Sequence, residues 1–185
     1  MTVRLSARAE ERIEALKRQY PDARSAVMPA LYLAQEELGS ITEEAVQWVS
    51  ARVGIPPVQV MEVATFYTMY YKKPVGRYHV QVCRTLSCAL CGSRQISQRL
   101  HDRLGLKPGE VSADGMWSWE EVECLGSCGT APMCEINDTF FENLTPAKLD
   151  EIMKRIEAEQ PDLRFSTATD QLGAGFKDRP KSEVI

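Results

Sequence analysis

No cysteine occurs before Cys83 or after Cys134, so all six fall in one stretch of the 185-residue chain. Histidine is nearly missing: His79 and His101 are the only two, and neither belongs to a cysteine pair. Basic charge is not in excess. Lys and Arg number 22 against 26 Asp and Glu, the formal net charge is −4, and the basic residues are scattered. A phosphate-binding surface normally leaves a basic patch, so nucleic acid is not an expected partner. No apolar run approaches the roughly 18–20 residues that span a bilayer, so no direct membrane span is expected. The first residues, MTVRLSARAEERIEAL, are charged and helical in pattern rather than a secretory leader, which points to the cytoplasm. There thiols stay reduced, and clustered cysteines are metal ligands or redox groups more often than disulfides. A glycine-rich dinucleotide fingerprint is also lacking.

What is present is a core-forming composition, 44% hydrophobic, in a length that suits one full domain and a smaller one. The first half reads as four short helices. Residues 6–20 carry Ala9, Ile13, Leu16 and Tyr20 at helical spacing behind Ser6 as N-cap, with Pro21 as the stop. A second helix covers 23–38, with Val27, Leu31, Ala34 and Leu38 on one face, Pro29 in the first turns and Gly39 at the end. A third opens at Thr42, buries Val46 and Val49 and stops at Gly54. A fourth starts at Pro56-Pro57 and carries Val60, Val63 and Ala64. After it, Phe66, Tyr67, Tyr70, Tyr71 and Tyr78 crowd a Pro-Gly turn. They either seal the bundle against the following domain or face a partner protein.

From Tyr78 the period changes. Residues 79–82 alternate as a strand ending at Cys83, and 92–104 form a helix stopped by Gly105. A strand over 117–122 leads to Cys124, and short strands over 133–137 and 140–144 form a hairpin about Asn137-Asp138. Thr145-Pro146 opens a last helix with Leu149, Ile152, Met153 and Ile156 inward. The fold class is α+β: a helical bundle over 1–72, then a thioredoxin-like βαβ-ββα domain over 73–160. A tail over 161–185 is either disordered or docks on a partner. In a βαβ unit the two strands are parallel. Cys83 and Cys124 then lie at the same sheet end, where open α/β sheets collect ligands.

The cysteines form two close pairs, Cys83-x4-Cys88 and Cys124-x3-Cys128. Four thiolates suit an iron–sulfur cluster first, then zinc, then a dithiol redox site. A [2Fe–2S] core on four thiolates is negative and wants N–H donors. The backbone of 85–87 and 125–127, Gly126, Gly129 and the helix near Gly92 can supply them. A competing set is Cys83-x4-Cys88-x2-Cys91 with a distant fourth ligand, the plant-type ferredoxin spacing. Cys88-x2-Cys91 also matches a thioredoxin dithiol. Against the plant-type set, it idles two of the three cysteines downstream. Cys134, within a strand, suits a small buried hydrophobe.

The segments CRTLSC and ECLGSCGTAPMCEIND are similar to the thioredoxin-like [2Fe–2S] subunit of NADH:quinone oxidoreductase, the small flavoprotein-fraction component of respiratory complex I. MPALYLAQEELGSI and VMEVATFYTMY extend the resemblance, which covers roughly residues 10–158. It implies Cys83, Cys88, Cys124 and Cys128 as cluster ligands and leaves Cys91 and Cys134 outside the ligand pattern. It further implies a one-electron carrier, with FMN and NADH on a flavin- and NADH-binding partner subunit. The setting would be the peripheral arm of a membrane-bound complex, on the cytoplasmic side. Related subunits serve NAD-linked hydrogenases and formate dehydrogenases. Readings of a different class are a structural zinc-binding docking module and a thiol–disulfide enzyme.

Overall fold

Ser6 opens the first helix, α1 (Ala7–Lys17), by accepting the Ala9 N–H on its hydroxyl at 3.1 Å. The helix buries Ala9, Ile13 and Leu16 but stops short of the expected residue 20. The residue before a proline is pushed out of helical geometry, so Tyr20, ahead of Pro21, turns outward and is exposed. The computed structural model describes residues 3–166 and 171–172. The chain divides into two compact units, one reaching to Pro74 and one beginning at Val75.

The single helix expected over 23–38 is two elements, a 3-10 turn (Ala23–Ala26) and α2 (Val27–Leu38). Pro29 explains the break. It lacks an N–H and excludes the carbonyl four residues back, so a regular helix can begin only with Pro29 in its first turn. Gly39 closes α2 at φ 78°, a left-handed conformation that costs glycine little. Thr42 caps α3 (Glu43–Val53), and Pro57 starts α4 (Pro57–Phe66). Ile13, Leu31, Trp48, Val49, Val60 and Tyr70 fill one core. The aromatic cluster divides. Tyr70 is fully buried with its hydroxyl on the Met28 carbonyl at 3.1 Å, whereas Phe66 and Tyr67 are exposed. Within this unit Glu10 ties α1 to α3, accepting from Trp48 Nε1 at 2.9 Å and from Arg52 at 2.7 Å.

The second unit runs β1 (Tyr78–Cys83), α5 (Leu86–Leu90), α6 (Ser93–Leu104), β2 (Trp117–Val122), β3 (Cys134–Ile136), β4 (Thr139–Phe141) and α7 (Pro146–Glu159). The sheet order is β2-β1-β3-β4, with β1 and β2 parallel and the other pairs antiparallel. This is the α+β, thioredoxin-like arrangement expected, with one addition: α5 stands where a loop is expected. Register sorts the faces. Tyr78, Val80 and Val82 pair with Trp117, Trp119 and Glu121, and the first five pack with Ile96 and Leu100 of α6 and Leu149, Met153 and Ile156 of α7. The alternate residues form a polar face. His79 meets Ser118 Oγ at 2.8 Å and Glu120 Oε1 at 3.1 Å, and Gln81 donates to the same Glu120 oxygen at 3.0 Å. Gly76 lets β1 enter against β2, because a Cβ there would sit 2.4 Å from the Trp117 carbonyl carbon.

β2 spans the expected 117–122 and stops two residues before Cys124, but the hairpin strands are shorter than expected. β3 and β4 are three residues each, because Asn137 and Asn143 take positive φ and break the ladder. Leu144, expected in a strand, is buried outside it and donates to the Pro132 carbonyl at 2.9 Å. The expected tail begins anchored: Leu163 is buried, and its carbonyl accepts from Asp138 N and Thr139 Oγ1 at 3.0 and 3.1 Å. Residues 167–170 and 173–185, where disorder or docking is in question, lie outside the described residues. Among the described residues no helix is long and apolar enough to cross a membrane.

Glu135 lies on the polar face opposite Gln81. Burial first, then the neighbouring Asp138 charge, raises its pKa to about 7. A carboxyl whose folded pKa is raised keeps its full contribution below the unfolded pKa and loses it as pH rises through about 7. Glu135→Gln is therefore expected to match the wild type at acid pH. Above pH 7 it should be more stable by about 1–2 kcal/mol, allowing for solvent screening of this half-buried group. Denaturant melts across that range check this.

Candidate metal centre

The two cysteine loops leave the same end of the sheet. Cys83 is the last residue of β1 and pairs in register with Val122, the last of β2. The loops are stitched by backbone. Arg84 N donates to the Val122 carbonyl at 3.0 Å, and Cys83 N to the Met133 carbonyl at 3.3 Å.

Cys88 does not sit in an open loop. It lies inside α5, which Ala89 N closes onto the Thr85 carbonyl at 2.8 Å, and that turn points its thiol inward beside Cys83. Cys83, Cys88 and Met133 form a small buried cluster flanked by Leu125 and Ala131. Cys124 and Cys128 are exposed, Cys128 at the start of a 3-10 turn (Cys128–Thr130). Cys91 is exposed and caps α5; α6 begins two residues later. Cys134 is buried in the sheet core, and that burial first, with Glu135 second, pushes its thiol pKa up. It packs as the small hydrophobe expected.

The sulfurs are supplied with donors. Burial alone would raise the Cys83 pKa. The Thr85 hydroxyl at 3.2 Å, the N–H groups of Leu125 and Thr85 and the Cys88 thiol outweigh it and lower the value. Cys88 is raised to about 11, by burial first and then by Cys83, with Met133 N–H opposing and Cys128 adding to the rise. Gly126, at φ 85°, turns its N–H onto Cys124 Sγ at 3.4 Å. Amides from the second loop therefore serve sulfurs of the first, which suits a negatively charged iron–sulfur core. Among the described residues no three Cys, His, Asp or Glu side chains gather as a single metal ion requires. A binuclear cluster on four thiolates asks for two at each iron.

Sequence reading missed three contributors: α5, the Met133 N–H, and Glu142, whose carboxylate holds the hydroxyls of Ser127 and Thr130 on either side of Cys128. None has a signal in spacing: α5 is too short to show a helical period, and the other two depend on how the chain around β3 and β4 returns to the loops.

Comparison with known proteins gives a consistent result. Residues 13–157 match the family model described as thioredoxin-like [2Fe–2S] ferredoxin. One of the NADH-quinone oxidoreductase subunits of Rhizobium meliloti is 41% identical over 150 residues, 81% of this chain and 89% of that protein. NADH-quinone oxidoreductase subunit 2 of Thermus thermophilus is 44% identical over 136 residues, 73% of this chain and 75% of that one. A crystal structure of NAD+-reducing [NiFe]-hydrogenase in the air-oxidized state shares the fold. Its TM-score is 0.66 at 21% identity, over 86% of this chain and 25% of that one. With the cysteine geometry, these matches make the chain a member of the thioredoxin-like [2Fe–2S] ferredoxin family, and its cofactor is a [2Fe–2S] cluster.

Proposed function

We propose that this chain is the thioredoxin-like [2Fe–2S] subunit of an NADH:quinone oxidoreductase, with Cys83, Cys88, Cys124 and Cys128 as the cluster ligands. The observation that supports the ligand set is that both cysteine pairs leave one end of the parallel β1–β2 pair, with the loops tied by Arg84 N on the Val122 carbonyl at 3.0 Å and Cys83 N on the Met133 carbonyl at 3.3 Å. When bound, the cluster takes up and returns one electron at a time, whereas hydride leaves NADH as an electron pair. The chain has no dinucleotide fingerprint, so FMN and NADH belong to a partner subunit, in a peripheral arm on the cytoplasmic side. The chain alone holds no complete active site. The hydrogenase likeness is one of fold, and relatives at 41–44% identity favour the quinone-linked complex over a hydrogenase module.

What this chain's residues do is hold and tune. Thr85, Leu125, Gly126 and Met133 offset negative charge at the sulfurs, and burial of Cys83 and Cys88 keeps water from that side. The rim of the site is suited to protein contact. Residues 85–93 and 124–134 contain no charged side chain in a chain that is 26% charged. Leu86 and Leu90, one turn apart on the ligand-bearing α5, are 75% and 79% exposed. Exposed leucines on an uncharged rim beside a redox centre fit the flavin-bearing subunit as their occupant.

Cys91→Ser and Cys134→Ala are expected to keep about two iron and two sulfide per chain with a nearly unchanged reduced EPR spectrum. Serine at Cys83, Cys88, Cys124 or Cys128 should lose the cluster or leave it labile. Loss in Cys91→Ser with retention in Cys124→Ser would establish the plant-type set, and zinc in place of iron would establish the docking module. Paired Leu86→Asp and Leu90→Asp substitutions should weaken association with the co-expressed flavoprotein by about 1–3 kcal/mol while leaving the EPR signal intact. Unchanged association would remove this face as the docking site.

A further inference from the structure

The loop carrying Cys128 is held by one carboxylate. Ser127 and Thr130 bracket the cysteine, their hydroxyl oxygens 2.7 Å apart. Both donate to the same atom, Oε1 of Glu142, Thr130 at 2.5 Å. The backbone beside Glu142 repeats the tie: Asn143 N donates to the Thr130 carbonyl at 2.7 Å and Leu144 N to the Pro132 carbonyl at 2.9 Å. Glu142 is itself fixed. It follows β4 directly, and Lys148, in the first turn of α7, donates to its main-chain carbonyl at 2.9 Å. Sheet, hairpin and helix thus all converge on the segment that presents Cys128. A serine and a threonine would satisfy their hydroxyls with water or backbone at little cost, so two charge-assisted bonds to one carboxylate oxygen mark a built clamp.

We propose that Glu142 is a positioning residue for the cluster. Its carboxylate locks the Cys128 loop through Ser127 and Thr130, and its negative charge disfavours reduction. The proposal rests on the reading of Cys128 as a ligand. Reduction adds an electron to an already negative site, and a fixed anion nearby opposes that addition. The clamp and the charge are chemically separable. Glutamine keeps an Oε1 acceptor of the same shape and drops the charge; alanine drops both.

The test compares the cluster-loaded full chain as wild type, Glu142→Gln, Glu142→Ala and Cys128→Ser. Midpoint potential is read by EPR-monitored redox titration and iron release by a chelator assay. Glu142→Gln should have a more positive potential with iron release near the wild-type rate. Glu142→Ala should have a more positive potential and release iron roughly tenfold faster, the weight of a lost charge-assisted hydrogen bond. A wild-type potential in Glu142→Gln overturns the charge role, and a wild-type release rate in Glu142→Ala overturns the clamp. Should Glu142→Ala fail to fold, Ser127→Ala measures the clamp with the same expectation of faster release, and an unchanged rate overturns it. Cys128→Ser separates the two levels. Cluster loss there with unchanged Glu142 variants overturns only the Glu142 role; a stable cluster there overturns the ligand reading beneath it.

Discussion

Parallel pairing of β1 with β2 is the constraint on which the metal centre depends. It places Cys83 opposite Val122, so two cysteine pairs separated by some forty residues leave the sheet at one end. A register slip of one residue would turn Cys83 to the other face and expose the apolar set of β1. That register is strongly specified. On one face Tyr78, Val80 and Val82 are locked against Trp117, Trp119 and two helices; on the other, His79 and Gln81 are satisfied by Ser118 and Glu120. Gly76 adds a steric condition at the entry to β1, where the two backbones approach too closely for any side chain. Core packing and site geometry are therefore one requirement met by the same six residue pairs.

The second requirement is electrostatic. Thiols taken out of water resist ionisation, and Cys83 and Cys88 are both buried. Their pKa values move in opposite directions because the donors are unequally shared: Cys83 receives Thr85 and Leu125, while Cys88 receives Met133 alone among N–H donors and feels two neighbouring cysteines. A pair that cannot easily ionise together is held in readiness for a cation that can stabilise both thiolates. Cys124 and Cys128 are exposed, in contrast to the buried Cys83 and Cys88, and α5 also carries the exposed Leu86 and Leu90.

Much of this was legible in the sequence, and the failures have identifiable causes. Caps at Ser6, Thr42 and Thr145 and stops at Gly39, Gly54 and Gly105 are local signals, and each acts as read. The βαβ order read from the sequence puts both cysteine loops at one end of the sheet, and the parallel β1–β2 pair places them there. α5 was illegible because five residues are too few to show a helical period, and its leucines point outward rather than into a core. The 3-10 break before α2 required weighing Pro29 against the apolar pattern, and steric exclusion won. Tyr20 fitted the spacing of α1 but not the backbone ahead of Pro21. The clamp by Glu142 is tertiary: nothing near residue 142 announces that the chain there returns to Cys128.

Iron-edge anomalous diffraction from crystals of the cluster-loaded protein tests the central claim most directly, because it locates the metal without substituting any residue. The expected map has two iron peaks between the loops, within bonding distance of the sulfurs of Cys83, Cys88, Cys124 and Cys128 and of no other cysteine. A single metal peak, or a peak ligated by Cys91 in place of Cys124 or Cys128, would contradict it.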